Sequence, residues 1–369
     1  MRKVCVYAIC KNESANVERW LNSMADADYI VVLDTGSTDG TFEKLKNDHR
    51  VTRVEQKLFD PFRFDYARNA SMELIPQDTE ICVCTDFDET FEPGWYRALQ
   101  DNWKDDTCRC LYHYHWSHNP DVVFSYDKIH SNNEYYWIGA VHEYLMRYDD
   151  TEQNCEYDRL HHIETDIQLH HWQDITKPRA SYLDLLKLRV KENPNDAFGW
   201  WYLGREYVEH SYGYDGLECF KKALKVFENH PNMTDIFGMH MASLMSIGNW
   251  YRDNGYPGEA LDYYQKAIRQ EPMYREPYLY SALMCNQLGY YYEAIGFVNE
   301  CLSKITNRIG HWVEEDVSWN ERPYDILSVA YYNVGDIKRA KENVAKAHEL
   351  NPFDERITKN YEAIMSQEG

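Results

Sequence analysis

An apolar segment that ends in acidic side chains carries the strongest chemical signal in this sequence. Residues 81–85 read Ile-Cys-Val-Cys-Thr, and Asp86 and Asp88 follow, separated by one residue, with Glu89 directly behind them. Mg²⁺ and Mn²⁺ take oxygen ligands, and a site with one or two protein carboxylates leaves the other positions to water and substrate phosphates. The pattern predicts a metal-assisted reaction on a phosphorylated substrate. The alternative is a solvated acidic turn, because the chain contains 61 acidic residues.

Length and charge limit the classes of protein to which this chain can belong. At 369 residues it is long enough for two domains, each with its own core. A hydrophobic content of 44% with 15% aromatic residues excludes a disordered chain. The formal net charge of −22 disfavours phosphate backbones and anionic membranes, so neither nucleic acid nor a membrane is expected as a partner.

The N-terminus and the cysteines both indicate a cytoplasmic protein. Residues 4–10 form an apolar run that is too short to span a bilayer and lacks a signal-peptide cleavage pattern, so we interpret it as a first strand. The ten cysteines include no Cys-x-x-Cys pair. Reduced thiols in or near a core are therefore expected, rather than disulfides or zinc sites.

Residues 1–175 alternate short apolar runs with helical stretches. This alternation predicts an α/β domain with a mostly parallel sheet and helices on both faces. In such sheets ligands bind at the carboxyl ends of the strands, where the connecting loops gather. Three polar loops fall at those ends, namely 10–13, 34–41 and 86–89. The predicted strands are 4–9, 29–33, 52–56 and 80–85, and the predicted helices are 15–24, 41–47 and 64–75.

From about residue 197 the pattern changes to helical repeats. The spacing of Trp200, Leu203, Gly204 and Tyr207 is typical of the tetratricopeptide motif. Later segments repeat it, with small residues that mark successive units 44, 34 and 46 positions apart. These marks are Gly216, Ala260, Ala294 and Ala340. The spacing predicts about four degraded repeats that stack into a solenoid with a concave groove. The alternative is an irregular helical bundle.

The predicted domain boundaries follow from these two patterns. The α/β domain covers residues 1–175 and the repeat domain covers residues 197–369. Residues 176–196 contain an apolar-periodic stretch, which predicts a helix that connects the two domains.

Four ordered motifs together resemble family 2 glycosyltransferases of the GT-A fold. They are Lys11-Asn12-Glu13, the stretch from Val32 to Thr41, the stretch from Asp65 to Asn69, and Asp86-Phe87-Asp88-Glu89. The branch that the chain resembles carries a C-terminal tetratricopeptide domain and includes the peptide S-glycosyltransferases of glycosylated bacteriocin pathways. The resemblance covers about residues 3–175 for catalysis and 197–354 for the repeats.

The resemblance implies a metal at the acidic loop. Transfer from a nucleotide sugar releases a nucleoside diphosphate, and a divalent cation such as Mn²⁺ or Mg²⁺ stabilises the negative charge that develops on it. By resemblance, Asp86 and Asp88 hold this metal, and Asp86 also lies near the ribose.

The resemblance also implies a nucleotide pocket on the neighbouring loops. Asp34 stands where this fold contacts the nucleobase, and its carboxylate can accept the N3–H of uracil. Arg68 is expected to contact the nucleotide, and Asn12 and Glu13 to line the same pocket. For Asp34 and Asp39 the alternative is a turn stabilised by the aspartate side chain. We favour the site for Asp34 and the turn for Asp39.

Two later motifs complete the predicted site. The segment that ends at Glu143 resembles the part of these enzymes beneath the acceptor, where an inverting transfer needs a carboxylate base. Glu143 is the predicted base, with Asp158 and Asp166 as alternatives. A later strand ends in His170 and His171, and a histidine there often serves as a third metal ligand in the GT-A fold. Because side chains alternate along a strand, only one of the two can face the metal, and we favour His170.

These observations predict a metal-dependent, inverting transferase that moves a hexose or N-acetylhexosamine from a UDP-sugar to a peptide or protein acceptor. A saccharide or lipid-linked glycan is the alternative acceptor. An interaction scaffold with an inactive transferase domain is an alternative from a different class. A nucleotidyl- or sugar-phosphate-processing enzyme is a third, but the loop after the first strand is not glycine-rich. A homodimer is also allowed.

Overall fold

The computed structural model describes residues 1–116, 123–149, 161–173, 182–210, 213–230, 238–309 and 314–367. The chain forms two compact units. Met1–Gly199 belong to the first unit, and the second begins at Trp200. The predicted α/β fold class, with a sheet domain followed by helical repeats, is confirmed.

Parallel strands form one half of the main sheet. These strands are β1 (Val4–Cys10), β2 (Tyr29–Asp34), β3 (Arg53–Gln56) and β4 (Ile81–Cys84), and β1 pairs in parallel with both β2 and β4. The helices between them are α1 (Val17–Met24), α2 (Thr41–Asn47) and α3 (Phe64–Met72). The predicted alternation of strands and helices is therefore present in this half.

The other half of the sheet mixes strand directions. Its elements are β5 (Glu89–Phe91), α4 (Trp95–Asn102), β6 (Arg109–His115), β7 (Val123–Ser131) and β10 (His162–His171). The full order of the sheet is β3-β2-β1-β4-β7-β6-β10-β5, in which β7 runs antiparallel to both β4 and β6. A separate hairpin consists of β8 (Tyr135–Ile138) and β9 (Tyr144–Arg147).

The sheet is buried on both faces, as strand β1 shows. Val4, Val6 and Ala8 contribute to one hydrophobic cluster and Cys5 and Tyr7 to another. This division follows from the alternation of side chains along a strand. Helix α1 covers the first cluster with a stripe of buried residues at helical spacing. The stripe consists of Val17, Trp20, Leu21 and Met24.

Two helices follow the sheet. Helix α5 spans Leu183–Glu192, within the stretch predicted to connect the domains, and residues 174–181 lie outside the described part. Helix α6 spans Ala197–Glu209.

The second unit is built from successive helices. Each helix from α7 to α14 packs against the next. Ala260, Ala294 and Ala340 are fully buried between helices, and the small side chains allow the close packing. At Gly216 an added Cβ would lie 2.9 Å from the carbonyl oxygen of Gly204, so α6 and α7 approach too closely there for a side chain. The helices are α7 (Gly213–Asn229), α8 (Met239–Asp253), α9 (Pro257–Gln270), α10 (Arg275–Leu288), α11 (Tyr291–Lys304), α12 (Arg322–Asn333), α13 (Ile337–Leu350) and α14 (Glu355–Met365).

In the described part of the chain, no helix combines the length and the apolar character that a membrane crossing requires.

Candidate active site

A chain of ion pairs crosses the carboxyl edge of the sheet. Asp86 follows β4, and its Oδ1 accepts a hydrogen bond of 2.7 Å from Nη2 of Arg68 on α3. Lys128 on β7 donates from Nζ to Oδ2 of the same carboxylate at 2.9 Å. Arg68 also donates from Nε to Oε1 of Glu143 at 3.0 Å, and Lys128 lies 3.5 Å from Oε1 of Glu89. We call these five residues, Glu89, Lys128, Asp86, Arg68 and Glu143, the ion-pair network.

Burial and charge act in opposite directions on the groups of this network. Burial alone would raise the pKa of Asp86, but Arg68 and Lys128 lower it well below its usual range. Burial also raises the pKa of Glu89, where Lys128 only partly offsets it. For Lys128, burial would lower the pKa, and the attraction of Asp86 and Glu89 raises it instead. Asp86 is therefore a carboxylate that two protein cations keep ionised.

Asp88 lies beside a histidine at the end of β10. Nε2 of His171 is 3.2 Å from Oδ2 of Asp88, and the backbone N–H of Trp172 donates to the carbonyl oxygen of Asp88 at 2.6 Å. Burial would lower the pKa of His171, but the Asp88 carboxylate raises it. The Asp88 side chain keeps about a third of its surface exposed, at 32%. A carboxylate and an imidazole thus meet where a ligand can reach them.

His170, the histidine favoured by sequence, lies elsewhere. Its Nε2 is 2.8 Å from Oε1 of Glu92, and its ring stacks on that of His115 with 4.4 Å between centroids. Successive side chains of a strand point to opposite faces, so only one of the pair can reach Asp88. In the structure this residue is His171 and not His170.

Asp34 ends β2, as predicted, but its carboxylate is engaged in a turn. Its Oδ1 accepts the backbone N–H groups of Gly36 and Ser37, each at 2.8 Å, and the side-chain amide of Gln56 at 3.0 Å. Cys10 lies 3.5 Å from its Oδ2, and Asp34 is fully buried. Burial would raise its pKa, and these hydrogen bonds lower it. The geometry is the turn that the sequence left as the alternative for Asp34.

The predicted turn at Asp39 is confirmed by its hydrogen bonds. Its Oδ1 accepts the backbone N–H of Thr41 at 3.1 Å, and its Oδ2 accepts that of Ser14 at 3.0 Å. Asp39 therefore ties the loop after β2 to the loop after β1. Asn12 adds to this connection, because its side-chain oxygen accepts the backbone N–H of Thr38 at 2.7 Å.

An open cleft of about 310 Å³ lies between the start of α1 and Trp172. The guanidinium of Arg19 lies 5.7 Å from the centroid of the Trp172 ring, and the indole N–H donates to Oγ1 of Thr90 at 2.8 Å. The cleft includes the predicted pocket residues Asn12 and Glu13 but not Asp34, Arg68 or Asp86. It is lined by Asn12, Glu13, Ala15, Asn16, Arg19, Asp39 and Trp172.

The loop between β8 and β9 presents Glu143, the predicted base. Gly139 has a φ of 102° and His142 a φ of 51°, so the loop turns through left-handed conformations. Arg189 on α5 donates from Nη1 to the carbonyl oxygens of Val141 and His142, at 2.7 and 2.8 Å. The loop that carries Glu143 is thus fixed from behind by the helix that follows the sheet.

The alternative bases are differently placed. The side chain of Asp166 on β10 is fully exposed and lies 4.0 Å from Nε2 of His113. Asp158 lies outside the described residues.

Sequence reasoning missed Lys128 altogether. Lysine is almost never buried unless it is paired, so a lysine within a strand is normally assigned to the exposed face. Its partners Asp86 and Glu89 lie about forty residues earlier, and no local pattern connects them. Glu89 was noted only as a third carboxylate beside Asp86 and Asp88.

The side chains at this edge of the sheet offer a metal ion two neighbouring donors, from Asp88 and His171. Across the described ranges, no group of three or more His, Cys, Asp or Glu side chains is arranged to hold an ion. Both oxygens of Asp86 are taken by Arg68 and Lys128, whereas Asp88 and His171 offer one oxygen and one nitrogen donor side by side. Two protein donors suit an ion that keeps its other positions for water and substrate phosphates.

A mostly parallel sheet with an acidic loop at its carboxyl edge is an arrangement like that of the GT-A fold. Residues 5–169 match the family described as "Glycosyl transferase family 2", and residues 242–272 match the family described as "Tetratricopeptide repeat". The chain therefore carries a family 2 glycosyltransferase domain followed by a tetratricopeptide repeat, and the predicted resemblance is confirmed at this level. The domain implies glycosyltransferase activity.

Three of the solved structures that match each cover about half of this chain. The MamA protein is 20% identical with a TM-score of 0.36, and the match covers 46% of this chain and 81% of that chain. The protein TTC0263 of Thermus thermophilus is 21% identical with a TM-score of 0.33, covering 50% and 89%. A repeat protein from Parabacteroides merdae is 14% identical with a TM-score of 0.39, covering 49% and 64%. Scores this low carry no argument about function. No curated protein matches the chain significantly.

Proposed function

We propose that this protein is a metal-dependent, inverting glycosyltransferase that moves a hexose or N-acetylhexosamine from a UDP-sugar to a peptide or protein acceptor. The observation that carries the proposal is the pairing of Asp88 with His171, at 3.2 Å, next to the ion-pair network of a family 2 domain. A carboxylate and an imidazole on the edge where loops gather suit a metal that binds a diphosphate.

Asp88 and His171 would hold the divalent cation. Their mixed oxygen and nitrogen donors fit Mn²⁺ better than Mg²⁺, which takes oxygen ligands. When bound, the metal would stabilise the negative charge of the departing nucleoside diphosphate. Asp86 would lie beside the metal, held in place by Arg68 and Lys128.

Arg68 would orient the groups that act on the two substrates. It contacts both Asp86, on the side of the predicted donor, and Glu143, the proposed base. Glu143 would accept the proton of the acceptor nucleophile as the new glycosidic bond forms. The fixed guanidinium holds the Glu143 carboxylate in one orientation, which general base catalysis requires.

The remaining nucleotide contacts are assigned to the first two loops. Asn12 and Glu13 would line the donor pocket. Asp34 would support the nucleobase contact indirectly, because its Oδ1 accepts two backbone N–H groups and so fixes the turn 34–41.

The acceptor assignment rests on the repeat unit. Stacked repeats offer an extended surface of the kind that binds peptides, which favours a peptide or protein acceptor. A cytoplasmic location agrees with the nine described cysteines, which are buried and form no disulfide with one another, because the cytoplasm keeps thiols reduced.

A saccharide is the second candidate acceptor, and the cleft beside Trp172 favours it. The cleft combines an indole ring with amide, carboxylate and guanidinium groups next to the Asp88 loop. An aromatic ring gives a sugar an apolar surface, and the polar groups can bond its hydroxyls. Loss of transfer to saccharide acceptors on Trp172→Ala, with peptide acceptors inactive, would favour this candidate.

The proposal is tested first by calorimetric titration of UDP, UDP-glucose, UDP-N-acetylglucosamine and GDP, each with and without Mn²⁺. We expect UDP and one UDP-sugar to bind in a metal-dependent manner. Asp88→Asn should lose the metal-dependent part, whereas Asp166→Asn, a change at a fully exposed carboxylate, should retain it.

Each result separates the proposed function from an alternative. Binding of GDP rather than UDP would keep the transferase and replace the donor. Binding without any metal effect would contradict the metal assignment. Absence of binding by all nucleotides would favour an interaction scaffold with an inactive transferase domain.

A further inference from the structure

Lys128 is the most deeply buried amine beside the candidate active site. Its side chain is 9% exposed on β7, and its Nζ lies 2.9 Å from Oδ2 of Asp86 and 3.5 Å from Oε1 of Glu89. The ring of Tyr126 lies 5.0 Å from the ammonium. The amine is thus buried among its partners, and its printed contacts on the site are with the carboxylates of Asp86 and Glu89.

The position of Asp86 is determined by three elements at once. Its Oδ1 is held by Arg68 on α3 and its Oδ2 by Lys128 on β7. Its backbone N–H donates to Oε2 of Glu89 on β5 at 2.9 Å. Glu89 therefore contacts both the backbone of Asp86 and the amine that holds its side chain.

Stability alone is a weak explanation for this arrangement. Taking several charges out of water costs free energy, and apolar side chains of similar volume often stabilise a protein as well as a buried ion pair does. A buried lysine with two carboxylate partners, directed at an acidic loop of the site, is better explained by the geometry it imposes. Positions that must hold within about half an ångström are supported in this way by neighbouring groups.

We propose that Lys128 is a positioning residue. It fixes the carboxylate of Asp86 in the orientation that the nucleotide donor requires. The inference rests on the proposed function, because it assumes a nucleotide donor at this loop. Without Lys128, the Asp86 side chain would be held through Oδ1 alone and would rotate toward Arg68. Donor binding would then weaken even though Lys128 itself touches no part of the donor.

A double-mutant cycle separates positioning from a general effect on the fold. If Lys128 acts through Asp86, Lys128→Met should weaken UDP binding in the presence of Mn²⁺ by about 10-fold or more, as Asp86→Asn does. In the Asp86→Asn background the same change should then add less than about 3-fold, because groups that act as one unit are not additive. Affinities are measured by calorimetry at a temperature where every variant is folded, as checked by circular dichroism.

The sheet offers a matched control at Arg109. This buried cation on β6 pairs with Asp127 at 2.7 Å and donates to the carbonyl oxygen of Leu145 at 3.1 Å. Arg109→Met should lower the unfolding temperature but leave the affinity for UDP unchanged in both backgrounds. If Lys128→Met does not fold, Lys128→Gln replaces it, because its shorter, neutral side chain removes the ion pair with Asp86 and leaves a polar group beside the buried carboxylates.

The outcomes distinguish this inference from the proposed function. Lack of UDP binding by the wild-type protein would overturn the proposed donor and, with it, the inference. If the wild type binds UDP and the Lys128 change weakens binding equally in both backgrounds, Lys128 does not act through Asp86 and only the inference fails. An affinity equal to that of the wild type in Lys128→Met would overturn it as well.

Discussion

Neighbouring histidines in β10 have opposite surroundings. His171 lies beside Asp88 and is 14% exposed, whereas His170 lies beside Glu92 and stacks on His115. Sequence showed that only one of them can face the metal, because the alternation of a strand is a local property. It did not show which one, because that depends on the side of the sheet on which the Asp86–Glu89 loop folds back.

This difference leads to a prediction about metal affinity. His171→Ala should weaken Mn²⁺ binding by about 10-fold or more, because it removes one of two protein donors. His170→Ala is the matched control, one residue away in the same strand, and should leave the affinity unchanged. The measurement is a titration of free Mn²⁺ by electron paramagnetic resonance. Equal losses in the two variants would contradict the assignment.

A second prediction at this scale concerns Glu143. Glu143→Gln keeps the shape of the side chain and its contact with Arg68 but cannot take up a proton, so transfer should fall by about 10²- to 10⁴-fold. The affinity for the nucleotide should stay within about threefold of the wild-type value, since Glu143 is proposed to act on the acceptor and not on the nucleotide. Hydrolysis of the UDP-sugar in single-turnover mixing provides the assay before an acceptor is known. Unchanged turnover would transfer the role to Asp158 or Asp166.

At the scale of the element, helix α10 begins with a buried acid. Glu276 is 3% exposed, its Oε1 accepts the backbone N–H of Glu315 at 2.8 Å, and its Oε2 has no hydrogen-bond partner among the described residues. Burial raises its pKa from 4.5 to about 7. Between these two values the folded protein retains a proton that the unfolded chain loses, so stability decreases as the pH rises through this range.

We therefore expect Glu276→Gln to stabilise the protein at pH 8 and to change little at pH 5. A pKa difference of this size corresponds to about 3 kcal/mol, from which the cost of an imperfectly bonded amide is subtracted. Thermal unfolding at the two pH values measures the effect. Glu259→Gln, an exposed acid in the first turn of α9, should show no such dependence on pH. A gain at pH 5 equal to that at pH 8 would contradict the explanation.

The elements that sequence predicts best are those whose patterns are local. Strands β1, β2 and β4 consist of short, almost wholly apolar runs between turn residues, which is typical of strands buried on both faces. The position of β7 between β4 and β6 could not be predicted, because its pairing depends on contacts between distant segments. This pairing brings Lys128 to Asp86, so a missed strand neighbour also meant a missed site residue.

At the scale of the whole molecule, every described cysteine is buried. Burial raises the pKa of the thiols of Cys84, Cys110, Cys219 and Cys285 to about 11. Since the thiolate is the reactive form, these groups should be inert in the folded protein.

Thiol titration provides the fourth prediction. The nine described cysteines should react with a disulfide reagent on the timescale of unfolding, and all ten in the sequence should react at once in guanidinium chloride. Rapid reaction of several thiols in the native protein would contradict the buried arrangement. Cys155 lies outside the described residues, so rapid reaction of one thiol in the native protein does not contradict the prediction.

The change from a sheet to helical repeats was predictable from sequence because the two halves have different periodicities. The acidic loop, Arg68 and Glu143 lie close together in the structure, and their roles stay predictions. Asp34 was harder to interpret from sequence, because an aspartate at the end of a strand is equally suited to stabilise a turn or to bind a ligand. Only the hydrogen bonds of Gly36, Ser37 and Gln56 distinguish these uses.

The contact made by Arg189 has a consequence for dissecting this protein into working pieces. The family match ends at residue 169, yet the loop that carries Glu143 is held by Arg189, which in turn bonds Asp196 at 2.5 Å. A piece cut at the end of the match would keep the acidic loop and lose the support behind the proposed base. Exchanges of the transferase half between related proteins should therefore place the junction after Asp196.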